Sequence, residues 1–402
     1  MNEFRPISTA EAGRPARAWP VLAALALGGF AIGTTEFATM SLLPFFAPDL
    51  GVTDAQASHV ISIYALGVVI GAPLLAVLGA RMDRKKLLVL LMLVFAAANA
   101  LSAFAGNYSS MLLFRFLSGV PHGAYFGVAT LMAASLVPLE KRAQAMAKVM
   151  LGLTLATIIG VPFANAIGQA FGWRWGFAIV AACALATAGL VAMLAPNQPA
   201  KEGQSPIAEL GALANGQVWL TLSIGAIGFG GLFAVYTYLA STLLEVTMAP
   251  PTAIPAMLAV FGLGMTIGTL GAGWGADKAL MPTVGVMLAL ATAMLLLFPF
   301  AAHSLWTLIP VVFLIGVTGS FGVPLQARLM DVAGNAQTLA ASLHHSAFNF
   351  ANALGPWLAG MAIAAGHGFE TSGFVGAGLA LGGLMMWALA MLSDRRAAKG
   401  DR

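Results

Sequence analysis

Long apolar runs alternate with short polar breaks along the whole chain. A membrane-spanning helix needs about 20 apolar residues. Breaks at charged residues and at Pro, Asn or Gly clusters divide the sequence into twelve runs of that kind, near 18–46, 57–80, 86–105, 110–137, 144–170, 173–195, 217–245, 252–276, 280–301, 305–330, 338–366 and 370–393. The thinnest break, from Phe171 to Trp175, separates the fifth run from the sixth. The longest polar interruption, 196–216, opens on Pro196, Asn197, Gln198 and Pro199 and lies mid-chain. The pattern predicts an all-α membrane protein of twelve transmembrane helices. Two six-helix bundles, 18–195 and 217–393, are joined by a cytoplasmic linker over 196–216 and flanked by cytoplasmic tails at 1–17 and 394–402.

Composition identifies the solvent of that surface. Of the 402 residues, 59% are hydrophobic and 8% are charged, against about 25% charged in a soluble domain. Too few charges remain to cover a water-soluble particle, so the lipid bilayer is the expected partner. The net charge of +4 is modest, and no basic run is interleaved with aromatics, so nucleic acid is not an expected partner. A lone cysteine, Cys183, can form neither an internal disulfide nor a thiolate metal cluster, and it reads as packing. Arg5, Arg14 and Arg17 precede an apolar run longer than the about 7–15 residues of a secretory signal, so the first run is expected to be a retained helix.

The charges also orient the chain. With both termini on one side, 17 of the 19 Lys and Arg residues fall in loops or tails of that side, leaving Arg174 opposite and Arg115 within a span. Basic loops stay in the cytoplasm, which predicts cytoplasmic termini and an even number of spans. The halves show internal similarity. Gly67 and Gly71 in the second span resemble Gly264 and Gly268 in the eighth, and Phe116 to Gly119 resembles Phe313 to Gly316, at a common offset of 197 residues. Pro162 and Pro356 stand in corresponding fifth and eleventh spans. Repeated halves around a midplane site are a transporter architecture.

Ionisable groups inside a span are costly and usually functional. Two acidic or basic residues lie well inside spans, Glu36 and Arg115, both in the first half. Glu36 is expected ~15 Å below the outer end of the first span. It is either a proton site that also meets substrate or a packing carboxyl bonded to Thr34, Thr35 or a neighbouring helix. Arg115, ~9 Å into the fourth span, is either a cavity cation or a snorkelling side chain. It shares its helix with Gly119, Gly123 and Gly127, whose spacing allows close helix contact. His122, two turns deeper on the same face, is a relay or substrate partner, or a neutral histidine on a carbonyl. Tyr64, Asn165, Tyr236, Asn349 and Asn352 could line a cavity or tie helices together; Tyr238 could likewise offer a hydroxyl. His344 and His345 are expected at the membrane interface near the cytoplasmic end of the eleventh span. No metal site is expected.

These residues carry a family resemblance. Gly79 to Lys86, with Asp83 and Arg84 at its centre, resembles the signature loop of the major facilitator superfamily between the second and third spans. The resemblance implies that Gly79, Asp83 and Arg84 help hold a cytoplasmic gate shut in the outward-facing state, with Asp83 on a helix N-terminus and the arginines pairing across the halves. Gly273 to Lys278 is a weaker copy at the matching place. Arg115 followed by Gly119 resembles the family's fourth-helix motif, which implies proton coupling by Arg115. Gly152, Gly160 and Pro162 resemble the fifth-helix motif of its antiporters, with Val161 standing between glycine and proline. Gly355 and Pro356 form a closer Gly-Pro pair in the eleventh span. Thr34 to Phe37, Gly67 to Pro73, Ser118 to Ala124 and Ala347 to Asn349 look like the arabinose-efflux-permease-like branch of drug:proton antiporters, which includes sugar efflux and chloramphenicol resistance proteins.

The resemblance implies two pseudo-symmetric bundles and a proton-coupled exporter of a small molecule: drug, sugar or metabolite. It works by alternating access in the inner membrane of a bacterium, powered by the proton gradient without another cofactor and acting as a monomer. An importer or facilitator on the same fold shares these features. A membrane enzyme is the remote alternative, since no span holds two acids and no HExxH helix occurs.

Overall fold

In the computed structural model, residues 18–79, 82–138, 142–198, 215–333 and 337–400 are described. The expected tail 1–17, linker residues 199–214, and Arg81 and Lys141 of the basic loops lie outside them. The first half contains the spans Ala18–Ser41, Asp54–Leu75, Arg84–Ala103, Tyr108–Ser135, Ala145–Phe171 and Arg174–Leu194. The second contains Gly216–Glu245, Ala253–Ala276, Lys278–Ala301, Leu305–Ala333, Gln337–Ala364 and Phe369–Arg395. Ten of the twelve are long and apolar enough to cross a membrane. The fourth and eleventh, each of 28 residues, carry the polar groups that gather between the halves, which lowers their apolar character. Leu78, Leu270, Phe300 and Trp306 are each more than 60% exposed on the outside of the bundle. Such a surface is stable where hydrocarbon is the solvent.

Local chemistry sets the breaks. The first helix ends at Ser41, and Leu42 separates it from a short helix Leu43–Asp49 with Pro44 in its first turn. Asn107 and Ser110 form a capping box at the start of the fourth span. The thin break between the fifth and sixth spans is real: Gly172 takes φ 100°, a backbone conformation open to glycine. The eighth and ninth spans run nearly into one another, divided by Ala279 in extended geometry. Two features escaped the periodicity. The tenth span is interrupted by a 3₁₀ turn at Gly319–Phe321, and the fifth contains a π turn at Ala156–Gly160 ahead of Pro162. Proline lacks the N–H that an α-turn needs there, and π turns mark sites where a helix must bend. At the C-terminal end, helix continues to Gly400, so residues 394–400, expected as tail, extend the last helix. Asp394 there pairs with Arg328 of the tenth span at 2.6 Å.

The repeat is visible in packing. A Cβ on Gly67 would lie 2.3 Å from the Phe116 carbonyl, on Gly71 2.2 Å from that of Val120, and on Gly119 2.1 Å from that of Tyr64. In the second half, Gly264 meets the Phe313 carbonyl at 2.2 Å, Gly268 that of Val317 at 2.2 Å, and Gly316 that of Phe261 at 2.5 Å. Each contact maps onto its counterpart by the offset seen in the sequence. The second span thus crosses the fourth as the eighth crosses the tenth, with backbones touching where side chains are absent.

Both ends of the described chain lie on one face of the bundle, called here the terminal face. Across the halves the second span packs on the eleventh, the fifth on the eighth and the first on the seventh. Hydrogen bonds cross the seam toward the opposite face. Ser62 Oγ donates to the Ala353 carbonyl at 3.0 Å, Gln169 Nε2 to the Pro251 carbonyl at 3.0 Å, and Ser241 Oγ to Asp54. Gly360 approaches Ser58 and Ala55 there. The bundle is closed at that face.

Beyond the end of the first span, Asp49 accepts from Trp173 Nε1 and Arg174 Nη1, both at 2.9 Å. These bonds, the tryptophan's first, hold the Asp49 carboxyl below its usual range. A lowered folded-state pKa gives stability that is complete above the ordinary carboxylate value and is lost as pH falls through the folded one. The pair is half exposed, so its contribution is small, roughly 0.2–1 kcal/mol. Asp49→Asn should therefore lower the melting temperature by about 1–2 °C near neutrality. The difference should shrink as pH falls below the ordinary carboxylate value, as thermal unfolding in detergent across pH can check.

Candidate functional site

The buried polar groups converge in the interior, around the first, second, fourth and eleventh spans. Glu36 is 3% exposed and Arg115 1% exposed. Asn352 Nδ2 of the eleventh span donates to Glu36 Oε1 at 3.0 Å. The carboxyl of the first half is thereby joined to the second half, rather than to Thr34 or Thr35 on its own helix. The adjacent Phe37 packs against Phe233 and Tyr236 of the seventh span at 6.2 and 5.4 Å between ring centroids. Glu36 thus stands on the seam, with aromatic packing from the second half beside it.

Arg115 belongs wholly to the first half. Its Nη1 donates to Thr35 Oγ1 at 3.0 Å and to Asn99 Oδ1 at 3.4 Å, while Thr35 Oγ1 donates to the same Asn99 oxygen at 2.7 Å. The guanidinium lies 4.3 Å from the Tyr64 ring centroid and 5.3 Å from that of Phe177. It is enclosed by aromatic faces, a favourable place for a cation, and does not snorkel. Arg115 Nε has no hydrogen-bond partner. Among the described residues the ion pairs are Arg174–Asp49 and Arg328–Asp394; Arg115 and Glu36 approach through Thr35 without pairing.

Tyr64 connects this cluster to His122, its hydroxyl 2.8 Å from His122 Nδ1. His122 also lies against Phe126, and Phe126 stacks at 5.7 Å on His345 of the eleventh span, a second aromatic bridge across the halves. His344 is 9% exposed and packs against Phe229. The two histidines expected at the interface therefore lie inside the bundle, because the eleventh span turns that face toward the seam.

The remaining candidates separate. Asn165 donates to the Ser41 carbonyl at 2.9 Å and accepts from Gln169 Nε2 at 2.6 Å; it ties the fifth span to the end of the first, away from Glu36. Asn349 Nδ2 bonds the His345 carbonyl at 3.1 Å on its own helix. Tyr236 packs between Phe37 and Phe261. Tyr238 Oη donates to the Pro356 carbonyl at 3.2 Å. Gly355 allows the eleventh span to meet the Gly230 carbonyl of the seventh.

In the fifth span, Gly152 lies on the Ala26 carbonyl and Gly160 on the Thr34 hydroxyl, so the wide turn between them rests on the first span just before Glu36. The same turn meets the second half, since a Cβ on Gly262 would lie 2.6 Å from the Thr157 carbonyl.

In this conformer, closed at the opposite face, the described residues of the signature loop bond within the first half. Asp83 caps its own third span, accepting from Lys86 N at 3.1 Å. Gly79 lies against Leu87. Arg84 N donates to the Gln198 carbonyl at 3.0 Å, and its Nη1 to Gln198 Oε1 at 3.4 Å, which anchors the start of the linker. Among the described residues Arg84 bonds to the start of the linker, and the hydrogen bonds across the seam sit toward the opposite face. Asn99 and Thr35, which hold Arg115, were not singled out as its partners from sequence. An asparagine in the otherwise apolar third span was the available signal.

A family model described as Major Facilitator Superfamily matches residues 25–338. The chain belongs to the major facilitator superfamily. The inner membrane transport protein YdhP of Escherichia coli K12 is 39% identical over 374 residues, covering 90% of this chain and 94% of that protein. A chloramphenicol resistance protein of Streptomyces lividans is 33% identical over 376 residues, covering 91% and 93%. Among solved structures, a bacterial homologue of the human lysosomal transporter Spinster, inward-facing and occupied, superposes with a TM-score of 0.73 at 18% identity, covering 95% of this chain and 98% of that one. That likeness supports the fold. This member of the major facilitator superfamily is a multi-pass inner-membrane transporter of small molecules, not an enzyme, and its relatives include efflux proteins.

Proposed function

We propose that this transporter exports a small neutral or cationic molecule in exchange for protons, with Glu36 as the group that takes up and releases them. The observation that carries the proposal is the position of Glu36: an acid buried in the bundle, its oxygen bonded to the other half. A change in its protonation alters the bond that spans the seam, so proton binding and the movement of the halves are energetically linked. Arg115 supplies a fixed positive charge nearby, and Tyr64 with His122 forms the polar path along the fourth span.

The bias of the basic loops supports a cytoplasmic terminal face, with the closed face as the outer one in this reading. Protonation outside would accompany release of the exported molecule, and deprotonation inside would permit rebinding. The carboxyl and surrounding aromatics suit neutral or cationic amphiphiles, and the kinship with a chloramphenicol resistance protein points to drug-like molecules; sugars also fit the branch. The chain acts as a monomer in this reading.

The test uses proteoliposomes with an imposed pH gradient and radiolabelled chloramphenicol or a monosaccharide panel. Glu36→Gln is expected to lose gradient-driven transport while still binding the same compound. Gradient-driven efflux that survives the substitution would assign the proton elsewhere.

A further inference from the structure

Asn352 makes half of a possible pairing with Glu36. Its Nδ2 donates to Glu36 Oε1 at 3.0 Å, while its Oδ1 is buried and has no hydrogen-bond partner. A buried amide oxygen is rarely left alone. A carboxylate can only accept hydrogen bonds, whereas a protonated carboxyl can also donate one. A carboxylic acid facing a primary amide can form two antiparallel bonds at once: N–H to the acid's carbonyl oxygen, and acid O–H to the amide oxygen. The missing donor at Asn352 Oδ1 is the one that protonation of Glu36 would supply.

Resting on the reading of Glu36 as the proton site, we infer that Asn352 is the positioning residue that converts protonation into closure of the outer face. The protonated acid and the amide form a two-bond latch between the first and eleventh spans; ionisation removes one bond and leaves the amide oxygen unpaired. The bond balance is simple: the proton on the acid oxygen donates to Asn352 Oδ1 and leaves toward water when the cytoplasmic side is exposed. The closed outer face described above is then the protonated conformer. It is supported on the same eleventh span, where Ser62 of the second span donates to the Ala353 carbonyl, one residue beyond Asn352.

Other groups around Glu36 do not supply this switch. Arg115 and Tyr64 are within electrostatic reach, but Arg115 holds its charge and both belong to the first half. His122 lies behind Tyr64. From the second half, Tyr236 packs on Phe37, and His345 faces Phe126. Among the described residues, Asn352 is the side chain of the second half with a polar atom on the carboxyl.

The test follows the outer face directly. Cys183 is the single cysteine, so Cys183→Ser gives a clean background for spin labels at Phe104→Cys and Trp306→Cys, 83% and 85% exposed at the outer face of the two halves. Distances are measured at about pH 5 and about pH 9, with infrared spectroscopy following the protonated carboxyl of Glu36. The parent protein should pass from closed to open as pH rises, with about a tenfold change in the closed-to-open ratio. Glu36→Gln, whose amide can donate to Asn352 Oδ1 permanently, should stay closed at both. Asn352→Leu should show one distribution at both pH values while the Glu36 carboxyl band still titrates.

An Asn352→Leu protein that keeps the parental shift, with the band present, overturns the latch and leaves the proton site standing. A parental protein without any Glu36-dependent band overturns both. If Asn352→Leu does not fold, the glutamine variant decides: opening at high pH as the parent does sinks the inference, and a permanently closed outer face supports it.

Discussion

Replacing Arg115 with leucine is expected to abolish proton-driven transport while leaving the fold in place. A buried cation costs desolvation, and exchange of a buried charged network for well-packed apolar groups is often neutral or stabilising. Arg115 has no carboxylate partner to strand, since its bonds go to the neutral oxygens of Thr35 and Asn99, and those two remain bonded to each other. The melting temperature of Arg115→Leu should stay within about 5 °C of the parent. The fixed charge beside the Glu36 site, however, is gone. Arg115→Lys should not restore transport: an ammonium keeps the charge but lacks the planar guanidinium that lies over Tyr64 and Phe177. A loss of about tenfold or more in gradient-driven flux is expected for lysine, with a complete loss for leucine. Flux and scanning fluorimetry on the same preparations check both halves of the statement. Arg115→Leu with parental flux would remove the arginine from the mechanism.

The largest effect on stability is expected at the helix crossings. Gly119→Val places a branched side chain where even a Cβ would lie 2.1 Å from the Tyr64 carbonyl. That backbone cannot move aside without parting the second and fourth spans, and overpacking of a tight interior costs 1–3 kcal/mol or more. The outcome should be a protein that aggregates on extraction or melts about 5 °C lower or more. Gly316→Val should do the same in the second half, where the Phe261 carbonyl stands 2.5 Å away. Gly127→Ala is the internal control, because a Cβ there meets nothing within 4 Å. Size-exclusion profiles and melting curves of the three variants would separate the cases. Equal behaviour of Gly119→Val and Gly127→Ala would show that the crossing is looser than its geometry.

Much of this arrangement can be read in the residues because bilayers impose simple rules. Length and apolarity located the spans, and the spacing of Gly67, Gly71 and Gly119 was repeated closely enough to reveal the two halves. Arg115 and Glu36 stand out as charges in hydrocarbon, whatever surrounds them. The partners of those charges do not stand out. Asn352 meets Glu36 through a contact across more than three hundred residues of chain, and no periodicity encodes which faces of two distant helices meet. Asn99 was hidden for the same reason, as one amide in an apolar run. Asn165, a comparable amide by sequence, turned out to fasten two helices at their ends. The π turn was marked by Pro162, but whether a proline kinks, widens or only starts a turn depends on the neighbours that accept the bend.

The wide turn in the fifth span holds a residue that the helix after it does not need. Each α-helical residue advances about 100° around the axis, and a π turn takes up one more residue than an α-turn does over the same rotation. Removal of one residue between Ala156 and Gly160 would therefore restore a regular α-turn and leave the segment from Val161 onward close to its present phase, whereas the same deletion in a regular stretch would turn it by about 100°. Asn165 would still face Ser41, and Gly168 Leu42. Lineages carrying the motif should accordingly differ in length by a single residue in this stretch more readily than elsewhere along the span.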